Sequence, residues 1–150
     1  MNMAETLGEG LSGLEMLRKM IALGRRPPIA ETLGFSLVEV EEGWAVFAAN
    51  PDLRVYNPIG VVHGGFAATL LDSACGCAVH TRLSATQAYT TLELKVAYHK
   101  ALTIETGVVR AEGRVVTFGR RVAYSEGKLV DGTGRLYASA SSTLLVMDRS

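Results

Sequence analysis

Only two cysteines occur in the chain, Cys75 and Cys77. They lie too close together for an ordinary structural disulfide, and no third or fourth cysteine completes a zinc site. The thiol content therefore fits a reducing compartment, with no structural metal expected. No excess of either charge exists: 15 Lys+Arg face 15 Asp+Glu. That lack of a basic surplus argues against a nucleic-acid partner. No apolar run approaches the roughly 20 residues that span a membrane. The first sixteen residues are acidic and broken by glycine, unlike a signal peptide. The expectation is a cytoplasmic protein with no membrane and no nucleic acid among its partners. No repeat, low-complexity tract or linker divides the 150 residues, which suffice for one core without staples.

What is present is a clear pattern. Leu14, Leu17, Met20 and Ile21 recur at helical spacing and predict a helix over about Leu11 to Leu23. Ser12 is its candidate N-cap, with Glu15 in capping-box position. Gly24 can close it, and Pro27-Pro28 prevents its continuation. Phe35–Val40 and Trp44–Ala48, separated by Glu41-Glu42-Gly43, read as a hairpin. From about Gly64 to Leu83, Phe66, Ala67, Leu70, Leu71, Ala74, Cys75 and Ala78 follow a helical period. So little of this helix is polar that it should be buried nearly all round.

Strands follow. Leu92, Leu94, Val96 and Tyr98 alternate and should share one face. Thr103–Val116, Arg120–Ser125 and Gly134–Met147 are further strand candidates, with a turn at Asp131-Gly-Thr-Gly. A sheet that must cover an apolar helix has to curl around it, and short turns make that sheet largely antiparallel. The expected class is α+β.

Chemistry concentrates where the long helix begins. Two glycines at a helix start are poor for propensity but leave a backbone N–H accessible to a ligand. The free N–H groups and partial positive charge of a first turn suit a carbonyl oxygen that gains negative charge during attack. Asp72 is the only acidic or basic side chain between Gly65 and His80, and a lone carboxylate on an apolar helix is costly unless paired or used. Seven residues separate Gly65 from Asp72, about 10 Å along a helix axis. One helix cannot serve one carbonyl with both. Two antiparallel copies can, so the spacing predicts an isologous homodimer with two shared sites.

The run His63-Gly64-Gly65-Phe66-Ala67-Ala68-Thr69-Leu70-Leu71-Asp72, preceded by Asn57-Pro58-Ile59-Gly60, resembles the signature of hotdog-fold thioesterases of the phenylacetate-pathway and 4-hydroxybenzoyl-CoA type. The likeness extends from about Gly34 to Met147. It implies a hotdog domain over 34–150, with 1–33 as a helical extension. It also implies hydrolysis of an acyl- or aroyl-CoA thioester, no cofactor, and a tetramer built as a dimer of dimers. By position, Asp72 matches the general base or nucleophile, and Gly65 the donor to the thioester carbonyl. Asn57 matches a residue orienting the thioester or water, and Thr91 a hydroxyl that positions water. His63 and Gly64 match substrate-contacting positions. Arg120 and Arg121, expected to open a strand, resemble positions that meet CoA phosphates.

Plainer uses compete at each position. His63 can orient its loop by hydrogen bonding, and Asn57 can be a turn residue before Pro58. Asp72 can pair with a basic side chain, Gly64-Gly65 can be a tight turn, and Thr91 an ordinary strand threonine. His80 and His99, with no partner at ligand spacing, read as surface or strand-end residues. Two other functions fit the same fold, an acyl-thioester hydratase or dehydratase and a non-catalytic acyl-CoA-binding sensor.

Overall fold

The computed structural model describes residues 2–149. Three short helices come first: α1 (Met3–Leu7), α2 (Gly13–Ala22) and α3 (Pro28–Leu33). The expected helix is α2, and its capping box is formed in full: the Ser12 N–H donates to Glu15 Oε2 at 2.7 Å, and the Glu15 N–H donates to Ser12 Oγ at 3.3 Å. The sequence pattern missed α1 and α3, which are too short to show a period. Asn2 caps α1 through its side chain. The Pro27-Pro28 pair does more than stop α2, because Pro28 starts α3 at a first-turn position that proline fits. Leu7, Met16, Leu17, Met20 and Ala30 join the same hydrophobic core as Phe35, Phe47 and Phe66.

Six strands form one sheet: β1 (Phe35–Glu41), β2 (Trp44–Ala49), β3 (Gln87–Tyr98), β4 (Val109–Phe118), β5 (Val122–Asp131) and β6 (Leu136–Asp148). Their order is β1-β2-β4-β5-β6-β3, and every neighbouring pair is antiparallel. The long helix α4 (Gly64–His80) packs against this sheet. It ends three residues before the expected Leu83. Thr81 ends it, donating its hydroxyl to Ala78 O while accepting from the N–H of Gly43 in the β1–β2 turn. The curled sheet around one helix is the hotdog arrangement.

The core between them is tight. Leu70, Leu71, Ala74, Cys75, Ala78 and Val79 of α4 are all fully buried. Each buried leucine contributes about 1.5–3 kcal/mol relative to exposure. At Gly113 of β4 the sheet comes so close that a Cβ would stand 2.2 Å from Ala74 O. Only glycine allows that approach.

The strand expected over Thr103–Val116 begins only at Val109, after a 3-10 turn at Ile104–Thr106, and two further expectations need correction. First, α4 is not buried all round: Ala68, Thr69, Asp72 and Ser73 are only half-buried along one face. Second, the face of β3 is not Leu92-Leu94-Val96-Tyr98. The β3–β6 register shifts between Thr91 and Glu93, so Leu92 is the extra residue of a bulge. Thr91 pairs with Leu144, and Leu94, Val96 and Tyr98 pair with Ser142, Ala140 and Ala138, two residues apart along β6. The bulge thereby brings Thr91 onto the same face as Leu94, Val96 and Tyr98, whereas strict alternation would oppose them. Strand β3 then runs antiparallel along α4: Tyr98 meets Gly64, Thr91 meets Asp72, and Tyr89 meets Gly76. On its other side β3 has no strand neighbour among the described residues.

Candidate active site

The approach to α4 is a tied loop. Asn57 Oδ1 accepts from the N–H groups of Ile59 (3.1 Å) and Val61 (3.2 Å), and the Asn57 N–H donates to Val61 O at 2.8 Å. Its carboxamide oxygen is therefore the closure of an Asx-type turn. The His63 N–H donates to Val55 O, and the Val62 N–H to Leu102 O, which fixes where the helix begins.

His63 is the N-cap of α4. Its Nδ1 accepts from the Gly65 N–H at 2.8 Å. An accepting Nδ1 leaves the ring proton on Nε2. The Gly65 N–H, the donor expected to face a ligand, is thus already held by its own chain. The glycines are explained by contacts as much as by access. A Cβ on Gly65 would meet His63 Nδ1 at 2.9 Å, and one on Gly64 would meet the Tyr98 ring at 3.1 Å. The Tyr98 hydroxyl donates to Gly64 O at 2.7 Å. Sequence reasoning gave Tyr98 no role here. The two residues are 34 apart, and no local signal connects them.

A cavity of about 340 Å³ opens beside this turn, lined by Val62, His63, Gly64, Ala67, Tyr98 and Lys100 among others. Neither Gly65 nor Asp72 lines it. Asp72 lies two turns further along α4, where Oδ1 accepts from the Thr91 hydroxyl at 3.0 Å. No ion pair among the described residues involves Asp72.

The thiols are poor nucleophiles. Burial pushes Cys75 up to about 11, and burial with the nearby Asp72 carboxylate pushes Cys77 up to about 12. Both stay protonated at neutral pH. No group of three or more His, Cys, Asp or Glu fit to hold a metal occurs among the described residues.

Within one chain the structure makes two groups. His63, Gly64 and Gly65 come together at the helix start, and Asp72 and Thr91 come together in mid-helix. Asn57 sits in its own turn. Arg120 and Arg121 are exposed in the turn before β5, which begins at Val122 rather than at the arginines. The Val146 N–H donates to Arg121 O, and Val146 packs with Val79 and Leu83 at the other end of α4. That helix is roughly 25 Å long at 1.5 Å per residue, so the arginines are far from His63 of their own chain. His80 differs from expectation: its Nε2 is buried with no hydrogen-bond partner among the described residues. His99 stands exposed just after β3, as expected of a strand-end residue, with Nε2 2.8 Å from Ser139 Oγ.

Comparison with known proteins places these features in a family. Residues 59–138, from the Asn57 turn to β6, match the Thioesterase superfamily. A 1,4-dihydroxy-2-naphthoyl-CoA hydrolase from Listeria monocytogenes is 28% identical over 118 residues, 79% of this chain and 94% of that protein. A mutant of the phenylacetic acid degradation protein PaaI from Thermus thermophilus superposes with a TM-score of 0.72 at 29% identity, covering 79% of this chain and 98% of its own. The thioesterase HI1161 from Haemophilus influenzae shares the fold, with a TM-score of 0.78 at 20% identity over 88% of this chain and 90% of that one. The chain belongs to the thioesterase superfamily, and its class of chemistry is thioester hydrolysis. No helix among the described residues is long and apolar enough to cross a membrane.

Proposed function

We propose that the protein hydrolyses an acyl- or aroyl-CoA thioester to the free acid and CoA, with Asp72 as general base or nucleophile. The observation that carries this reading is the mid-helix carboxylate without an ion-pair partner among the described residues, oriented by the Thr91 hydroxyl. The Gly65 N–H, with the partial positive charge of the helix start, polarises the thioester carbonyl. The carbonyl oxygen takes the place of His63 Nδ1 as acceptor. Asp72 then takes a proton from water as the water oxygen attacks the carbonyl carbon. The C–S bond breaks, and CoA leaves as the thiol with the proton that Asp72 took from the water. In the nucleophilic variant the carboxylate attacks first, and water cleaves the mixed anhydride.

Seven helical residues separate Gly65 from Asp72, so each site takes the Gly65 of one protomer and the partner's Asp72. The twelve-residue edge of β3 supports a two-fold pairing that would bring two copies of α4 together. We extend this to a homotetramer of two such dimers. In the dimer, Arg120 and Arg121 lie by the far end of α4, the end an antiparallel copy would bring toward the other helix start. A contact with CoA phosphates there is part of the proposal. Residues 1–33 are read as a helical extension of the hotdog domain 34–150, and the site of action as the cytoplasm.

The test is thiol release from a panel of acyl-CoA substrates by the wild-type protein and by Asp72→Asn. Loss of turnover by at least about 10²-fold is expected for removal of a general base. Turnover near the wild-type rate in Asp72→Asn would falsify the mechanism.

A further inference from the structure

The peptide group that joins Gly64 to Gly65 is held at both ends. Its N–H, on Gly65, donates to His63 Nδ1 at 2.8 Å. Its C=O, on Gly64, accepts from the Tyr98 hydroxyl at 2.7 Å. The Tyr98 ring also lies over the Gly64 Cα, where a Cβ would come within 3.1–3.3 Å of three of its atoms. Tyr98 is 55% exposed, so burial of the ring does not account for its place. It stands at the end of β3, on the face the bulge at Leu92 directs toward α4.

We propose that Tyr98 is a positioning residue whose hydroxyl, by binding the Gly64 carbonyl, fixes the plane of the 64–65 peptide and strengthens the Gly65 N–H as a donor to the thioester carbonyl. The inference rests on the thioesterase reading above for its functional consequence. The physical cause is polarisation. A donor on the oxygen of an amide draws electron density from its nitrogen, and the N–H at the other end becomes a stronger donor. The effect matters most where charge develops, on the carbonyl oxygen in the transition state. Tyr98 therefore acts on turnover more than on ground-state binding. Its hydroxyl also ties the donor to β3, whose outer edge has no strand neighbour among the described residues.

Tyr98→Phe keeps the ring over Gly64 and removes only the hydroxyl. With an acyl-CoA that the wild-type enzyme cleaves, kcat should fall roughly 5- to 20-fold, short of the ~10²–10³ caused by deleting a donor outright. KM should stay within about twofold. The amide proton resonance of Gly65 should move upfield in the nitrogen–proton spectrum. A wild-type kcat in the folded variant overturns the proposal, as does a raised KM with kcat unchanged. Should Tyr98→Phe not fold, 3-fluorotyrosine at position 98 retains ring and hydroxyl and alters donor strength. Changes in both kcat and the Gly65 resonance then support the proposal, and identity with wild type in both overturns it. Failure of the thioesterase reading shows differently: the wild-type protein releases no thiol from any acyl-CoA. In that case the Gly65 resonance still decides the peptide clamp, which stands if the resonance moves in Tyr98→Phe and falls if it does not.

Discussion

The Thr91 hydroxyl reaches Asp72 Oδ1 at 3.0 Å because one extra residue, Leu92, interrupts the alternation of β3. With strict alternation, Thr91 would lie on the face opposite Leu94, Val96 and Tyr98. The bulge thus converts an edge strand into a carrier of two side chains that address α4, Thr91 in mid-helix and Tyr98 at its start.

Thr91→Val keeps the branched shape and removes the hydroxyl. The Asp72 carboxylate then loses its oriented donor, and kcat for thioester hydrolysis should fall about tenfold, less than for loss of the base itself. Stability should change by no more than about 1.5 kcal/mol, the worth of a typical hydrogen bond. Thr91→Ser should restore most of the rate. Thiol-release kinetics with urea unfolding read both quantities, and a fully active valine variant would leave Thr91 with a structural role only.

Gly113→Ala tests the contact of sheet and helix. The added Cβ would stand 2.2 Å from Ala74 O, a backbone atom that cannot move without the helix. Overpacking of this kind costs about 1–3 kcal/mol. Chemical unfolding should show a lower midpoint with an unchanged slope. A midpoint equal to wild type would mean that α4 does not lie as close to β4 as described.

His80 predicts how stability depends on pH. Burial, with a smaller effect from Arg149, lowers its pKa from 6.5 to about 4. Its ring packs edge-on to Tyr89 at 5.6 Å, and Nε2 has no hydrogen-bond partner among the described residues. The folded state therefore keeps the neutral form. As pH falls through 6.5 the unfolded chain takes up a proton that the folded chain refuses, so stability falls until about pH 4 and then no longer changes on this account. His80→Leu should flatten that part of a melting-temperature profile. An unchanged slope between pH 6.5 and 4 in the variant would assign the loss to other groups.

Much of the fold was legible where the signal is local. Ser12 and Glu15 are three residues apart, and both halves of their capping box follow from that spacing. The Phe35–Ala49 hairpin and the start of α4 at the glycines are legible for the same reason. The rest depends on contacts across the chain. Leu92 is apolar and in phase with Leu94, so the bulge leaves no mark on the pattern. Gly64 and Gly65 read as an open donor site. Their surroundings, Tyr98 and the His63 ring, appear only once β3 is laid along α4. His80 read as a surface or strand-end residue because the sequence cannot show Gly13 packed against it. A Cβ on Gly13 would come within 1.8 Å of His80 O. Of the candidate site, the separation of Gly65 from Asp72 within one chain was legible in their spacing, whereas the contacts of Asp72 with Thr91 and of Gly64 with Tyr98 were not.

The central claim is that each site takes its carbonyl donor from one protomer and its carboxylate from the other. Two variants, Asp72→Asn and Gly65→Pro, each remove one half, the proline because it has no backbone N–H to donate. Each alone should be inactive. Co-expressed in equal amounts, half of the two-fold dimers carry both variants, and one of their two sites is intact, so about a quarter of wild-type activity should return. Activity no higher than the sum of the two separate variants would place the whole site within one chain and contradict the account.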